Sequence, residues 1–136
     1  MSEHAITDVS HETFHVQHKK SGNIGRMGEE IACRYYIGKN HTILSRNQRI
    51  RNLESDIVTR FHGKQILIEV KTVAREIIGI NDISREILGA SGRYTGKKER
   101  NMTIIAKTNG FDEMYLLCVL ISLGDKRAYT REIRLI

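Results

Sequence analysis

From Ser21 onward the chain alternates between two apolar rhythms. Ile24, Met27, Gly28, Ile31, Ala32, Tyr35 and Tyr36 recur every three or four residues, the stripe of an amphipathic helix. Ser21 or Asn23 can cap its start, and Gly38 is placed to end it in the C′ role. Gly28 falls inside the stripe, where glycine costs helix stability, so the backbone is expected to pack closely against a sheet there. Three strands follow. His41–Ile50 holds the apolar pair Ile43–Leu44 and then turns basic, while Leu53–Arg60 and Gln65–Thr72 are rich in β-branched residues. The link between the last two is His62-Gly63; glycine accepts the positive φ of a two-residue turn, and histidine tolerates it better than most residues. Residues 75–96 are mixed and broken by Gly79, Gly89, Gly92 and Gly96, with one or two helical turns after Asn81. Lys97–Asn109 predicts a second helix that stops at Gly110, with Met102, Ile105 and Ala106 inward. Tyr115–Leu123 is the most apolar run and predicts a central strand; Asp125 marks a turn before a last strand, Ala128–Leu135. Residues 1–20 are polar and without periodicity, and are expected to be a mobile arm outside a single domain over 21–136. The order is helix, three strands, helix, strand, with a final strand appended. That is an α+β layout, a mixed sheet flanked by helices.

Composition agrees with one core. The chain has 136 residues, 40% of them hydrophobic and 28% charged, which is ordinary for a globular domain. No run of about 18 apolar residues is present to cross a bilayer. The start, MSEHAITDVS, lacks the basic and apolar regions of a secretory signal, and the expectation is a cytoplasmic protein with no membrane partner. Cys33 and Cys118 lie singly in apolar patterns, as buried free thiols would, rather than in disulfide or zinc spacings. His4, His11, His15 and His18 have no helical spacing with a carboxylate or thiol and read as part of a solvated tail. The net charge is +6, and residues 21–136 carry all of the excess. Lys39, Arg46, Arg49 and Arg51 follow one another with no acid among them; Arg93, Lys97, Lys98 and Arg100 are interrupted only by Glu99. Such clusters are the footprint of phosphate-backbone binding, although a basic face can equally be a solvated one.

The chemistry is concentrated in two short segments, Glu54-Ser55-Asp56 and Glu69-Val70-Lys71. A two-residue turn at His62-Gly63 sets Phe61 opposite Lys64, Asp56 opposite Glu69 and Glu54 opposite Lys71. Period-two alternation then puts all four charged side chains on one face. Two carboxylates directly across a ladder repel unless a cation is present. A divalent ion resolves the conflict, and oxygen-only ligands suit Mg²⁺ or Mn²⁺ better than zinc. Lys71 on the same face would be within reach of a metal-bound water and a phosphate oxygen, the arrangement that phosphodiester hydrolysis needs. The competing reading is a solvent-facing strand with Glu54 paired to Lys71, and Asp56 and Glu69 simply solvated. Against it, Leu53, Ile57, Val58, Ile66, Leu67, Ile68 and Val70 make both faces apolar. A two-sided apolar strand is buried, and a buried Asp–Glu contact without a cation is costly.

Four pieces, GRMGEEIA (25–32), ILSRN (43–47), LESDIV (53–58) and LIEVKT (67–72), occur in an order and spacing that resembles the YraN-type family of predicted endonucleases. That family is related to the archaeal Holliday-junction resolvases within the PD-(D/E)xK superfamily. The resemblance implies an αβββαβ restriction-endonuclease-like core. It implies a metal held by Asp56, Glu69 and Val70, with Glu69 and Lys71 as the ExK pair and Glu29 of the first helix as a further catalytic residue. Helix geometry places Glu29 on the flank of the apolar stripe beside Ala32 and Tyr36, where it can reach a sheet edge or be a surface charge. Glu54 becomes a supporting acid beside Lys71. The sequence departs from the family pattern at Leu53, where glycine is usual, and at Val73, where an arginine commonly follows the lysine-threonine pair.

The expected function is a Mg²⁺- or Mn²⁺-dependent endonuclease acting on branched or structured DNA. Arg26, Arg46, Arg49, Arg51, Lys97, Lys98 and Arg100 would track phosphates, and symmetric cutting of two strands favours a homodimer. Tyr94, Phe111 and Tyr115 are candidates for its interface. The alternative is a non-catalytic DNA-binding or assembly module that keeps the fold.

Overall fold

A computed structural model describes residues 6–13, 21–50, 53–92 and 97–136. In chain order the elements are β1 (Ile6–Thr13), α1 (Ser21–Gly38), β2 (Thr42–Ile50), β3 (Leu53–Phe61), β4 (Lys64–Arg75), a 3-10 turn (Ile80–Asp82), α2 (Ile83–Gly92), α3 (Lys97–Thr108), β5 (Glu113–Ser122) and β6 (Arg127–Arg134). They build one six-stranded sheet in the order β1-β6-β5-β4-β3-β2. Only β4 and β5 run parallel, joined by the crossover through α2 and α3; the other neighbours are antiparallel. The α+β architecture with a mixed sheet between helices is therefore the observed one.

Each face of the sheet has its own apolar layer. On one, Ile57, Ile66, Ile68, Val70, Leu117, Val119 and Ile121 pack under Ile31, Ala32, Cys33 and Tyr36 of α1. On the other, Val58, Leu67, Val73, Leu116, Cys118 and Leu120 pack under Ile83, Ile87 and Ala90 of α2 and Met102 and Ala106 of α3. Burial from both sides is why β5 reads as an unbroken apolar run. Cys33 and Cys118 are free and buried, one in each layer. Burial pushes the Cys118 thiol up to about 11, against a smaller opposing effect of Arg131.

Close packing of α1 on the sheet depends on Gly28. A Cβ there would lie 1.8 Å from Thr72 Oγ1, so no side chain fits. At the far end of α1 the structure corrects one expectation. Gly38 is still helical, and Asn40 (φ 70) takes the left-handed position. The His41 N–H donates to the Tyr36 carbonyl at 2.9 Å and the Asn40 N–H to the Ile37 carbonyl at 3.0 Å, a Schellman arrangement. Gly110 (φ 82) does the same for α3, as its place in the sequence suggests.

Two elements differ from expectation. Ile6–Thr13 form the edge strand β1, antiparallel to β6, where polar composition suggested an arm outside the sheet. A strand with one neighbour need not show an apolar face, which is why the pattern was silent. α2 runs for ten residues rather than a turn or two, because Ile83, Ile87 and Ala90 bury a helical stripe despite Gly89 and Gly92. Phe111 is 7% exposed and belongs to the core, while Tyr115 is half-buried and packs against the α1 layer. Tyr94 lies outside the described residues, as do the side chains of the four N-terminal histidines.

Candidate active site at the end of the β3–β4 ladder

The β3–β4 hairpin turns at His62 (φ 52) and Gly63 (φ 76), both left-handed, as a two-residue turn of the primed type requires. Pairing begins at Phe61↔Lys64 and runs in register to Ile57↔Ile68. One step further, Asp56 stands opposite Glu69. Val58 and Leu67 lie under α2 and α3, so alternation puts Asp56, Glu69 and Lys71 on that same face. Ile57, Ile68 and Val70 fill the α1 layer between them.

The ladder stops at this point, and Asp56 explains how. In this register the next main-chain bond would run from the Val70 N–H to the carbonyl of Ser55. The Asp56 carboxylate stands in its place: Oδ2 accepts the Val70 N–H at 2.8 Å. Pairing of β4 with β5 continues to Arg75, so β3 and β4 part company while β4 stays in the sheet. Glu69 is buried at 7% exposure, alongside Leu116 in the parallel register. A carboxylate anchored on a backbone amide thus faces a buried carboxylate across the mouth of a fork. Lys71 is half-buried two residues on, level with Cys118. Val70, whose side chain is in the core, has only its backbone carbonyl to offer a metal.

Glu29 is half-buried on α1, the helix that covers the other face of the sheet. Among the described residues no group of three or more histidine, cysteine or acidic side chains converges as a metal site. The expected gathering of Glu29 with Asp56 and Glu69 is therefore not formed. The side chain of Glu54 lies outside the described residues, and its backbone pairs with Arg49.

The basic residues spread over both faces. Arg46 pairs with Ile57 on the α1 side, where its guanidinium donates to Glu30 Oε2 at 3.1 Å. Glu30 also holds Arg34 at 4.0 Å. Arg26 is exposed on α1 and Arg100 on α3. Arg51 and the side chains of Arg49, Lys97 and Lys98 lie outside the described residues.

Asn47 was missed by sequence reasoning. Four non-glycine residues among those described have positive φ. Asn40 ends a helix, and His62 and Lys126 lie in turns. Asn47 (φ 51) lies in mid-strand, and the β2–β3 register places it directly opposite Asp56. Asparagine is the side chain most tolerant of this region, so the available signal was a single Asn inside a strand pattern. Left-handed backbone in a strand interior is a mark of sites where geometry serves function.

A family model described as "Uncharacterised protein family UPF0102" matches residues 28–109. The chain belongs to this family. It is the YraN-type family that the four sequence pieces resemble, and the matched segment contains Glu29, Asn47, Asp56, Glu69 and Lys71. A UPF0102 protein of Clostridioides difficile is 32% identical over 101 residues, covering 68% of this chain and 85% of that protein. One of Chlorobium phaeobacteroides is 32% identical over 108 residues, covering 79% and 70%. The UPF0102 protein of Clavibacter michiganensis is 46% identical over 52 residues, which span 38% of this chain and only 44% of that relative. No helix among the described residues is long and apolar enough to cross a membrane.

Proposed function

We propose that the protein is a metal-dependent endonuclease that hydrolyses phosphodiester bonds in branched or otherwise structured DNA. The observation that supports this reading best is the fork itself: Asp56 held by the Val70 amide, Glu69 buried opposite, Lys71 on the same face. The donor set fits Mg²⁺ or Mn²⁺. Magnesium keeps several of its waters and needs only one or two protein carboxylates besides substrate phosphate, so Asp56, Glu69 and the Val70 carbonyl suffice. Bound there, the ion supplies charge neutralisation at the phosphate and acidifies a water. The chain's own residues do the rest. The amide anchor holds the Asp56 carboxylate in one orientation, and the Lys71 ammonium offsets negative charge that grows on the phosphate oxygens. Arg26, Arg46 and Arg100 contact backbone phosphates away from the cut.

The test is cleavage of four-way junction, flap, duplex and single-stranded DNA, and of RNA, with Mg²⁺, Mn²⁺ or EDTA. Metal-dependent cutting should fall by roughly 100-fold or more in Asp56→Asn and in Lys71→Ala, the scale for losing one electrostatic group. Full activity in either variant would remove the proposed site. The exposed Arg26 of α1 and Arg100 of α3 favour a second reading, a DNA-binding module without catalysis. It predicts salt-sensitive DNA binding that persists in Asp56→Asn, and no metal-dependent cleavage by the parent protein.

A further inference from the structure

At the turn end of the same hairpin, but on the α1 side, the sheet carries a cavity of about 540 Å³. Phe61 is five residues from Asp56 along β3, roughly 17 Å of strand, and on the opposite face, so the cavity is separate from the fork. Its volume lies within the range of small-molecule sites.

Three kinds of group line it. Phe61 and His41 form a flat aromatic stack, with ring centroids 4.4 Å apart and planes 5° from parallel, while His62 meets Phe61 edge-on at 4.0 Å. The stack is held in place, since His41 Nδ1 is 2.8 Å from Thr59 Oγ1. Glu113 and Glu132 form a carboxylate wall, at 7% and 8% exposure. Lys39 and Lys64 stand at the lip, Lys39 lying 4.7 Å over the Tyr35 ring and Lys64 2.9 Å from Glu113. Glu113 also accepts from the Tyr115 hydroxyl and faces Arg134 at 3.7 Å, so its charge is balanced by Lys64 and Arg134.

We propose that this cavity binds a nucleobase carrying an exocyclic amine, supplied by a free nucleotide or by an unpaired base of a nucleic acid. Each group has its counterpart in that ligand. The aromatic pair offers a platform for a planar ring, as single-stranded nucleic-acid sites do. A buried carboxylate accepts N–H groups, so amines on adenine, cytosine and guanine are favoured over the carbonyl that uracil and thymine present instead. The two lysines lie where a phosphate attached to the base can meet them. The inference does not depend on the nuclease reading, because it uses none of the fork residues.

Isothermal titration of the full chain in EDTA with AMP, CMP, GMP, UMP and inorganic phosphate tests it without reference to cleavage. Saturable binding of the amine-bearing nucleotides is expected, with UMP weaker by about tenfold and phosphate alone silent. Lys39→Ala, a change at the lip, should weaken nucleotides several-fold and leave nucleosides unchanged. Glu132→Gln should narrow the gap between CMP and UMP. A single-stranded oligonucleotide that displaces AMP, where a blunt duplex of the same sequence does not, would name an unpaired base as the source. Displacement by mononucleotides alone would name a free nucleotide. No saturable binding by any of the four nucleotides, or equal binding of CMP and UMP by the parent protein, would overturn the proposal, and neither result depends on a variant folding.

Discussion

At Gly28 the sheet leaves no space for even one methyl group. The three nearest obstacles to a Cβ all belong to Thr72: Oγ1 at 1.8 Å, and Cβ and Cγ2 at 2.9 Å. Gly28→Ala should therefore lower stability by about 1–3 kcal/mol or more, the scale of overpacking. Urea unfolding checks this, and Thr72→Ala should return part of the loss, because it removes two of the three obstacles. This contact was legible beforehand, since a glycine in mid-stripe has few other uses. The Asp56–Val70 bond was not. Alternation along two strands says which side chains face each other, but not where the pairing between the strands ends.

Among the elements, the β3–β4 hairpin was the most readable, because its turn residues and its apolar pattern specify the same register. β1 was the least readable, being an edge strand with polar residues along its length. β2 lies between these cases. Its pairing follows from neighbouring β3, yet the left-handed Asn47 interrupts it opposite Asp56. Two substitutions separate the backbone of that position from its side chain. Asn47→Gly should keep the fold within a few tenths of a kcal/mol, since glycine accepts the conformation freely. Asn47→Val should cost about 1–2 kcal/mol, as a β-branched residue is forced into left-handed space. Equal thermal midpoints for the two variants would mean that the strand straightens at little cost.

For the whole molecule, two groups in the turn-end cavity tie stability to pH. Burial, with Lys39 nearby, lowers the His41 pKa below its ordinary value. Glu113 is raised by burial but lowered more by its bonds to Tyr115 and Lys64 and by Arg134, and the net direction is down. Each group binds its proton less readily in the folded chain than in the unfolded one. The stability each contributes is complete above its unfolded value and is lost as pH falls through the folded one. Denaturation midpoints should thus be level from about pH 7 to 8, decline below about pH 6.5 as His41 is engaged, and decline again below about pH 4.3 as Glu113 is. His41→Gln should remove the first decline and leave the second. The layered architecture behind these sites was legible in the long apolar runs of β4 and β5. The cavity was not, because its lining comes from residues far apart in the chain that only the sheet order brings together.

The parting of β3 from β4 also has a consequence for hydrogen exchange. Past Ile57↔Ile68 the amide proton of Val70 is protected by a side chain instead of a strand. Local opening there requires only that one carboxylate turn away, whereas Ile68 and Leu117 are released when paired strands separate. Deuterium uptake at Val70 should accelerate at least about tenfold in Asp56→Ala, with uptake at Ile68 and Leu117 unchanged. Equal rates at Val70 in parent and variant would show that another acceptor holds the amide. A single backbone proton then serves as a reporter of the Asp56 carboxylate, readable with no substrate in the tube.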